Sequence, residues 1–229
     1  MANRSRVPLR VHFSVLMLVV ACALTSGALV ASNMGHIAKV HLDAIQTGVS
    51  KSGTNTLNLP YGIGPNIVTA LDLMNDIGFS GTANVQRWIE ATDTLVTYTG
   101  RKGSPNANFN LAAGECYYVV VSTSSDYMIV GNEKPSVTLA LNAIQTGVSK
   151  SGVNFVSLPF NTTVTTAKGL MDDIGFASTA NIQRFTKNND GLEVYTGRKG
   201  NLGSNFPIRH DECYFIQMSS TVNYTPSHY

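Results

Sequence analysis

Charge is what this sequence has least of. Lys, Arg, Asp and Glu make up 13% of its 229 residues, about half the usual share of a soluble globular chain. A nucleic-acid partner is not expected, because such binders carry clustered basic side chains. The formal charge of +2 comes from the start of the chain. Arg4, Arg6 and Arg10 precede every acidic residue, and the sixteen basic residues less these three leave thirteen against fourteen acidic ones from residue 33 onward. Tryptophan occurs once, as Trp88, and cysteine three times, as Cys22, Cys116 and Cys213. No Cys-x-x-Cys pair, His-Glu-x-x-His motif or Ser-His-Asp order occurs, so the common announcements of a zinc site or an activated nucleophile are missing. Neither an enzyme nor a bound cofactor is expected.

What is there is apolar and hydroxyl-rich. Hydrophobic residues reach 43%, enough to bury one large core or two small ones. Abundant Thr, Ser, Asn and Gly suit a β protein facing an extracellular medium.

The arginine-rich start is followed by an apolar run from Val11 to Ala31. That is the layout of a signal sequence, and residues 1–32 are expected to be a signal peptide or a membrane anchor. Ser26 with Ala28, or Val30 with Ser32, offer cleavage positions. Val19, Val20, Ala21 and Cys22 resemble a bacterial lipobox, which would make Cys22 a lipidated N-terminus. The run also reaches the roughly 20 residues that span a bilayer, so a retained anchor is a further alternative. Each route leads to a membrane or beyond it, and the mature protein is expected to be secreted or held at the cell surface.

The rest of the chain is written twice. Ala44-Ile-Gln-Thr-Gly-Val-Ser-Lys-Ser-Gly53 recurs unchanged from Ala143 to Gly152. Further pairs follow: Leu59-Pro60 with Leu158-Pro159, Asp76-Ile-Gly-Phe79 with Asp173-Ile-Gly-Phe176, Thr99-Gly-Arg-Lys-Gly103 with Thr196-Gly-Arg-Lys-Gly200, and Glu115-Cys-Tyr117 with Glu212-Cys-Tyr214. The offset changes only at a loop near Pro60, where a two-residue deletion is tolerated. Two β-rich modules are expected, 33–131 and 132–229, joined by the polar linker Gly131-Asn-Glu-Lys-Pro135.

Within each repeat, period-two alternation at Val137, Leu139 and Leu141 and at Leu57 and Leu59, a Thr-Asp turn between two runs, and the β-branched and aromatic run Cys116–Val121 predict strands. They fall at Ile37–Asp43, around Leu57 and Leu59, at Asn84–Glu90, Leu95–Thr99, Phe109–Leu111, Cys116–Val121 and Tyr127–Val130. Ile67, Ala70, Leu71, Met74 and Ile77 fall at helical spacing, with Gly78 just beyond. The second repeat repeats the pattern with Thr165 or Thr166 as cap, Ala167, Leu170, Met171 and Ile174 inward, and Gly175 closing. The fold class expected is mainly β: two tandem sandwich-like or barrel-like modules, each with one short helix.

Asn55 to Pro60, Val85 to Trp88, Tyr98 to Arg101 and Gly114 to Val119 together resemble tandem β-rich modules of bacterial secreted and surface proteins. That resemblance covers nearly all of both repeats and implies an exported, modular protein without a catalytic residue. Asp211 departs from it where the first repeat has Gly114.

Several clusters invite a chemical reading. His210-Asp-Glu-Cys213 looks like a metal or nucleophile cluster, but neighbours on a strand point to opposite faces and cannot all converge. No metal site is expected. One cysteine per repeat inside an apolar strand reads as a small buried hydrophobe. A Cys116–Cys213 bridge would be natural in an oxidising compartment, although equivalent positions of tandem units rarely come within disulfide range. Thr-Gly-Arg-Lys-Gly lacks phosphate-loop spacing and reads as a hairpin end. Asp72, Asp76, Asp172 and Asp173 lie on the polar side of a helix. Asn161-Thr-Thr163 matches a glycosylation acceptor. Trp88 and Tyr98, with Phe185 and Tyr195, are either core aromatics or a platform for sugar rings.

The function expected is an exported structural or adhesive surface protein that associates with itself or with other surface proteins by strand exchange through Ile37–Asp43. The alternative is a carbohydrate-binding protein with polysaccharide as partner.

Overall fold

Alternation decides which way the outermost strands face. In β1 (His36–Leu42) Ala38, Val40 and Leu42 are buried while Ile37, Lys39 and His41 are exposed, the period of two that a pleated backbone imposes. Its antiparallel partner β7 (Ser125–Asn132) sets Tyr127 opposite Val40 and Ile129 opposite Ala38. Residues 36–59, 62–63, 66–101, 107–112, 114–132, 136–198 and 201–227 are described by a computed structural model. The expected leader, with the cleavage positions read for it and Cys22, lies outside the described residues, as do Pro60, Pro65, Ala113, the last two residues of each Thr-Gly-Arg-Lys-Gly segment and residues 133–135 of the linker. Among the described residues no helix is long and apolar enough to cross a membrane.

A second antiparallel sheet in the first repeat has the order β2-β6-β4-β5, formed by β2 (Thr54–Asn58), β4 (Thr82–Ile89), β5 (Thr94–Tyr98) and β6 (Cys116–Val121). The two-residue strand β3 (Gly62–Ile63) extends the β1–β7 pair. Leu42, Leu57, Val85, Tyr117 and Ile129 meet between the two sheets, joined by Ala70, Leu73 and Met74 of helix α1 (Ala70–Ile77). The second repeat pairs β8 (Leu139–Leu141) with β14 (Val222–Tyr224). It also orders β12 (Asn201–Gly203), β11 (Gly191–Arg198), β10 (Thr179–Thr186), β13 (Cys213–Met218) and β9 (Val153–Ser157) into one sheet. Its own core collects Leu141, Tyr214, Ile216 and Tyr224 around Leu170 and Met171 of helix α2 (Ala167–Ile174). The protein is mainly β and sandwich-like, with one short α-helix in each repeat among the described residues.

Both helices start directly after a threonine whose own backbone is still extended. Thr69 accepts from the Asp72 amide while the Asp72 carboxylate accepts from Thr69, and Thr166 accepts from the Gly169 amide, so first-turn donors are satisfied. This cap sets the phase of α1. Leu73, not the expected Leu71, faces the core, and Ile67 lies before the helix.

Phe109–Leu111, expected as a strand, makes only an isolated bridge, Asn110 to Thr69. Its polar groups go to the helix entrance. The Phe109 carbonyl accepts from the Ala70 amide at 3.0 Å, Asn108 Oδ1 from the Leu71 amide at 3.0 Å, and the Val68 carbonyl from the Leu111 amide at 2.8 Å. The equivalent of Asn110 is Pro207, which has no amide to extend a ladder.

The duplicated decapeptide is a tight loop. In it the Ser50 and Gly53 amides bond to the Gln46 carbonyl and to Ser50 Oγ, both at 3.0 Å. Gly53 holds φ +75, and a Cβ there would lie 2.6 Å from the Val121 carbonyl oxygen. Gly48, at φ +80, has open space around it. Gly53→Ala should therefore cost about 2–4 kcal/mol, combining backbone strain with a forced shift, against about 1 kcal/mol for Gly48→Ala. Urea denaturation of the two variants checks this, and equal losses would contradict it.

Candidate functional site

The outer face of the β2-β6-β4-β5 sheet is buried against the matching face of the second repeat. β6 reads Cys-Tyr-Tyr-Val-Val-Val and buries five of its six residues, and β13 reads Cys-Tyr-Phe-Ile-Gln-Met and does the same. A run without alternation marks a strand covered on both sides. Tyr117 and Tyr214 point into their own cores, while Tyr118 and Phe215 point across to the other repeat. There they meet Phe155, with Trp88 and Phe185 packed alongside.

At the centre Cys116 and Cys213 form a disulfide, Cα atoms 6.0 Å apart, with 4% and 1% of their surfaces exposed. Of the two readings the cysteines allowed, separate buried thiols or a bridge, the bridge is formed. Repeats related by translation would keep equivalent positions apart. Here the repeats face each other, so equivalent positions meet.

The contacts around the disulfide are reciprocal, as a two-fold axis requires. The Lys51 amide donates to the Lys187 carbonyl at 2.8 Å, and the equivalent Lys150 amide to the Glu90 carbonyl at 2.9 Å. Ser52 Oγ donates to Asp190 at 2.8 Å and Ser151 Oγ to Asp93 at 2.9 Å. Both aspartates stand at φ 53 in hairpin turns, a conformation Asp tolerates better than most residues. Trp88 meets the Phe215 ring edge-on at 5.9 Å, and Phe185 meets Tyr118 edge-on at 5.5 Å.

Two clefts flank the axis. One, of about 520 Å³, is walled by Arg87, Trp88, Glu90 and Glu115 of the first repeat and by Leu139 and Val148 of the second. Its counterpart, of about 470 Å³, has Arg184, Phe185, Lys187 and Glu212 on one side and Val40 and Val49 on the other. Lys187 bridges its cleft, donating to Asp43 Oδ2 at 2.9 Å and to the His41 carbonyl at 3.0 Å. Arg87 pairs with Glu115 at 3.1 Å, and Arg184 with Glu193 and Glu212. Burial raises the pKa of Glu90 against the donation it receives from Asn142, and nearby Glu115 adds to the rise. Burial likewise raises that of Glu212 against the pull of Arg184.

The Glu90 shift has a definite sign in stability. A carboxyl whose pKa is higher folded than unfolded contributes fully below the unfolded value, about 4.3, and loses that contribution as pH rises through the folded value. Glu90→Gln should therefore be more stable than the natural chain at neutral pH, with the difference vanishing as the pH falls to about 4. Thermal melts across that range check it, and a difference independent of pH would contradict it.

The aromatic residues of interest are dispersed. Trp88 and Phe185 pack on the shared cluster, Tyr98 on the first repeat's own core and Tyr195 within the second's. Opposition of Tyr98 to Val85 and of Leu95 to Trp88 places Tyr98 and Trp88 on opposite faces of the sheet. The four do not share one flat surface.

The remaining clusters have structural partners. Within His210–Cys213, Cys213 is in the disulfide, Glu212 pairs with Arg184 and accepts from Tyr214, and the His210 ring lies 5.9 Å from Phe160. Among the described residues no group of three or more His, Cys, Asp or Glu is placed to hold a metal ion. Asp76 accepts from Tyr127 at 2.7 Å and Asp173 from Tyr224 at 2.6 Å, tying each helix to its last strand. Asp72 caps α1, and Asp172 pairs with Lys168 one turn away. Arg101 is exposed beyond the end of β5, Arg198 is exposed where β11 turns back into β12, and Asn161 is half-buried.

No known protein family, curated protein or solved structure matches this chain.

Proposed function

We propose that this chain is an exported structural or adhesive surface protein whose duplicated β modules work as one clasped body. The observation that carries the reading is the disulfide between the repeats. Such bonds persist in oxidising compartments outside the cytosol, in keeping with the leader. The outer face of the β1–β7 pair supports the adhesive part. Ile37, Met128 and Val130 stand there 64%, 64% and 61% exposed, whereas the equivalent positions of the second repeat are Ser136, Thr225 and Ser227. An apolar strip on one face is what a docking surface offers. Strand exchange through β1 would first have to displace it from β7, with which it pairs along seven residues.

Electron microscopy with light scattering on the chain from residue 33, at high concentration, tests assembly. Regular oligomers or filaments are expected, and a strict monomer would overturn the assembly reading. Thiol alkylation in whole cells before lysis tests export. Cys116 and Cys213 should resist until reduced, and free thiols would contradict it.

Carbohydrate binding is the second reading, favoured by the place of Trp88 in the wall of the larger cleft beside Arg87, Glu90 and Glu115. Trp88 is the sole tryptophan, so its fluorescence reports on that cleft alone. Quenching on titration with a panel of polysaccharides is the expected outcome, and an unchanged spectrum throughout would sink this reading.

A further inference from the structure

The surface between the repeats is self-complementary, and such a surface does not distinguish a partner in its own chain from one in another. We propose that it is a recognition surface for a second molecule of this chain, the first repeat of one molecule taking the second repeat of the next. The result is a pair of molecules with exchanged halves or a head-to-tail series. This rests on the assembly reading above and names the interface that assembly would use.

The two corners of the interface fix which repeat pairs with which. At one corner Lys187 meets Asp43 at 2.9 Å. At the other, Glu90 occupies the position of Lys187 and Asn142 that of Asp43, and the Asn142 amide donates to the carboxylate at 3.5 Å. A pair of first repeats would set Glu90 against Asp43 at both corners, two like charges in a largely buried setting. A pair of second repeats would set Lys187 against Asn142 and lose the ion pair. Only first against second joins opposite charges without a repulsive corner, so the asymmetry selects mixed pairing.

Within one molecule the same pairing is favoured by proximity. Six residues separate β7 from β8, and a short link gives an effective concentration of about millimolar. Closed molecules therefore dominate unless the halves are parted first, and a covalent trap is needed to count the exchanged ones.

Cysteine supplies the trap. Two variants of the chain from residue 33, Cys116→Ala and Cys213→Ala, each keep one thiol and cannot close the internal bridge. Unfolded together and refolded with oxidised glutathione, which takes the electrons and becomes two thiols, they should yield a disulfide-linked 1:1 heterodimer. Its yield should be roughly tenfold that of the dimer from Cys213→Ala alone, where first repeats repel, and should fall about tenfold when Lys187→Glu is added to the Cys116→Ala chain. No heterodimer, or yields indifferent to these charges, would overturn the proposal.

A wild-type measurement guards against variants that fail to fold. Isotope-labelled and unlabelled chains, reduced, refolded together and oxidised, should give a Cys116–Cys213 peptide of mixed label by mass spectrometry, and its absence counts against the proposal. Regular assemblies without any mixed-label bridge would overturn this inference and leave the assembly reading standing. A mixed-label bridge with a strictly monomeric native protein would do the reverse.

Discussion

Replacing both Cys116 and Cys213 by alanine should lower the unfolding free energy by about 2–5 kcal/mol, the usual loss on removing a native disulfide from a small exported protein. The bond closes a loop of 97 residues. For a loop near that length, restriction of the unfolded chain alone is worth roughly 4–5 kcal/mol. Urea denaturation of the double variant should match that of the natural chain under reductant. A loss below about 1 kcal/mol would mean that the aromatic interface holds the repeats together in the unfolded ensemble too. Because each repeat has its own core, the variant should also unfold over a broader range, with Trp88 reporting the parting of the interface first.

Phe215→Ala should cost about 3–5 kcal/mol. The ring is 7% exposed and stacks on Phe155 at 4.3 Å, with Trp88 and Tyr118 at 5.9 and 6.3 Å. The cavity left behind is bounded by two repeats that can relax only by sliding on each other, which the disulfide prevents. Its loss should therefore couple to that of the disulfide, the double change costing less than the two alone. Denaturation of the three variants checks this, and strict additivity would refute the coupling. Ile45→Ala, at a side chain 73% exposed, should stay within about 0.5 kcal/mol.

Most of each repeat was legible in the sequence because its signals are local. Thr166, Ala167, Leu170, Met171, Ile174 and Gly175 stand where capping and a 3.6-residue period place them. The hairpin turns at Asp93 and Asp190 follow from residues that tolerate positive φ. Phe109–Leu111 misled because apolar alternation does not say whether a neighbouring strand offers hydrogen bonds, and here the helix entrance takes them. Met74 was read correctly and Leu71 was not, since one apolar face had to be chosen from two before the cap was known.

The site between the repeats carried a weaker trace. The unbroken apolar run of β6 and the Gln-broken one of β13 signal burial on both faces, and the invariant Lys-Ser-Gly of the loop ends where it binds the opposite hairpin turn. Neither trace names the partner, because a covered face reads the same whatever covers it.

By itself the sequence determined two similar β-rich units, their helices, caps and turns, and an apolar surplus on particular strands, since each depends on residues within a few positions of one another. Tertiary structure alone decided that the units face each other about an axis and that Cys116 meets Cys213. Those outcomes rest on contacts between residues about a hundred positions apart, and equivalent positions coincide only under a two-fold relation, which no local pattern of residues encodes.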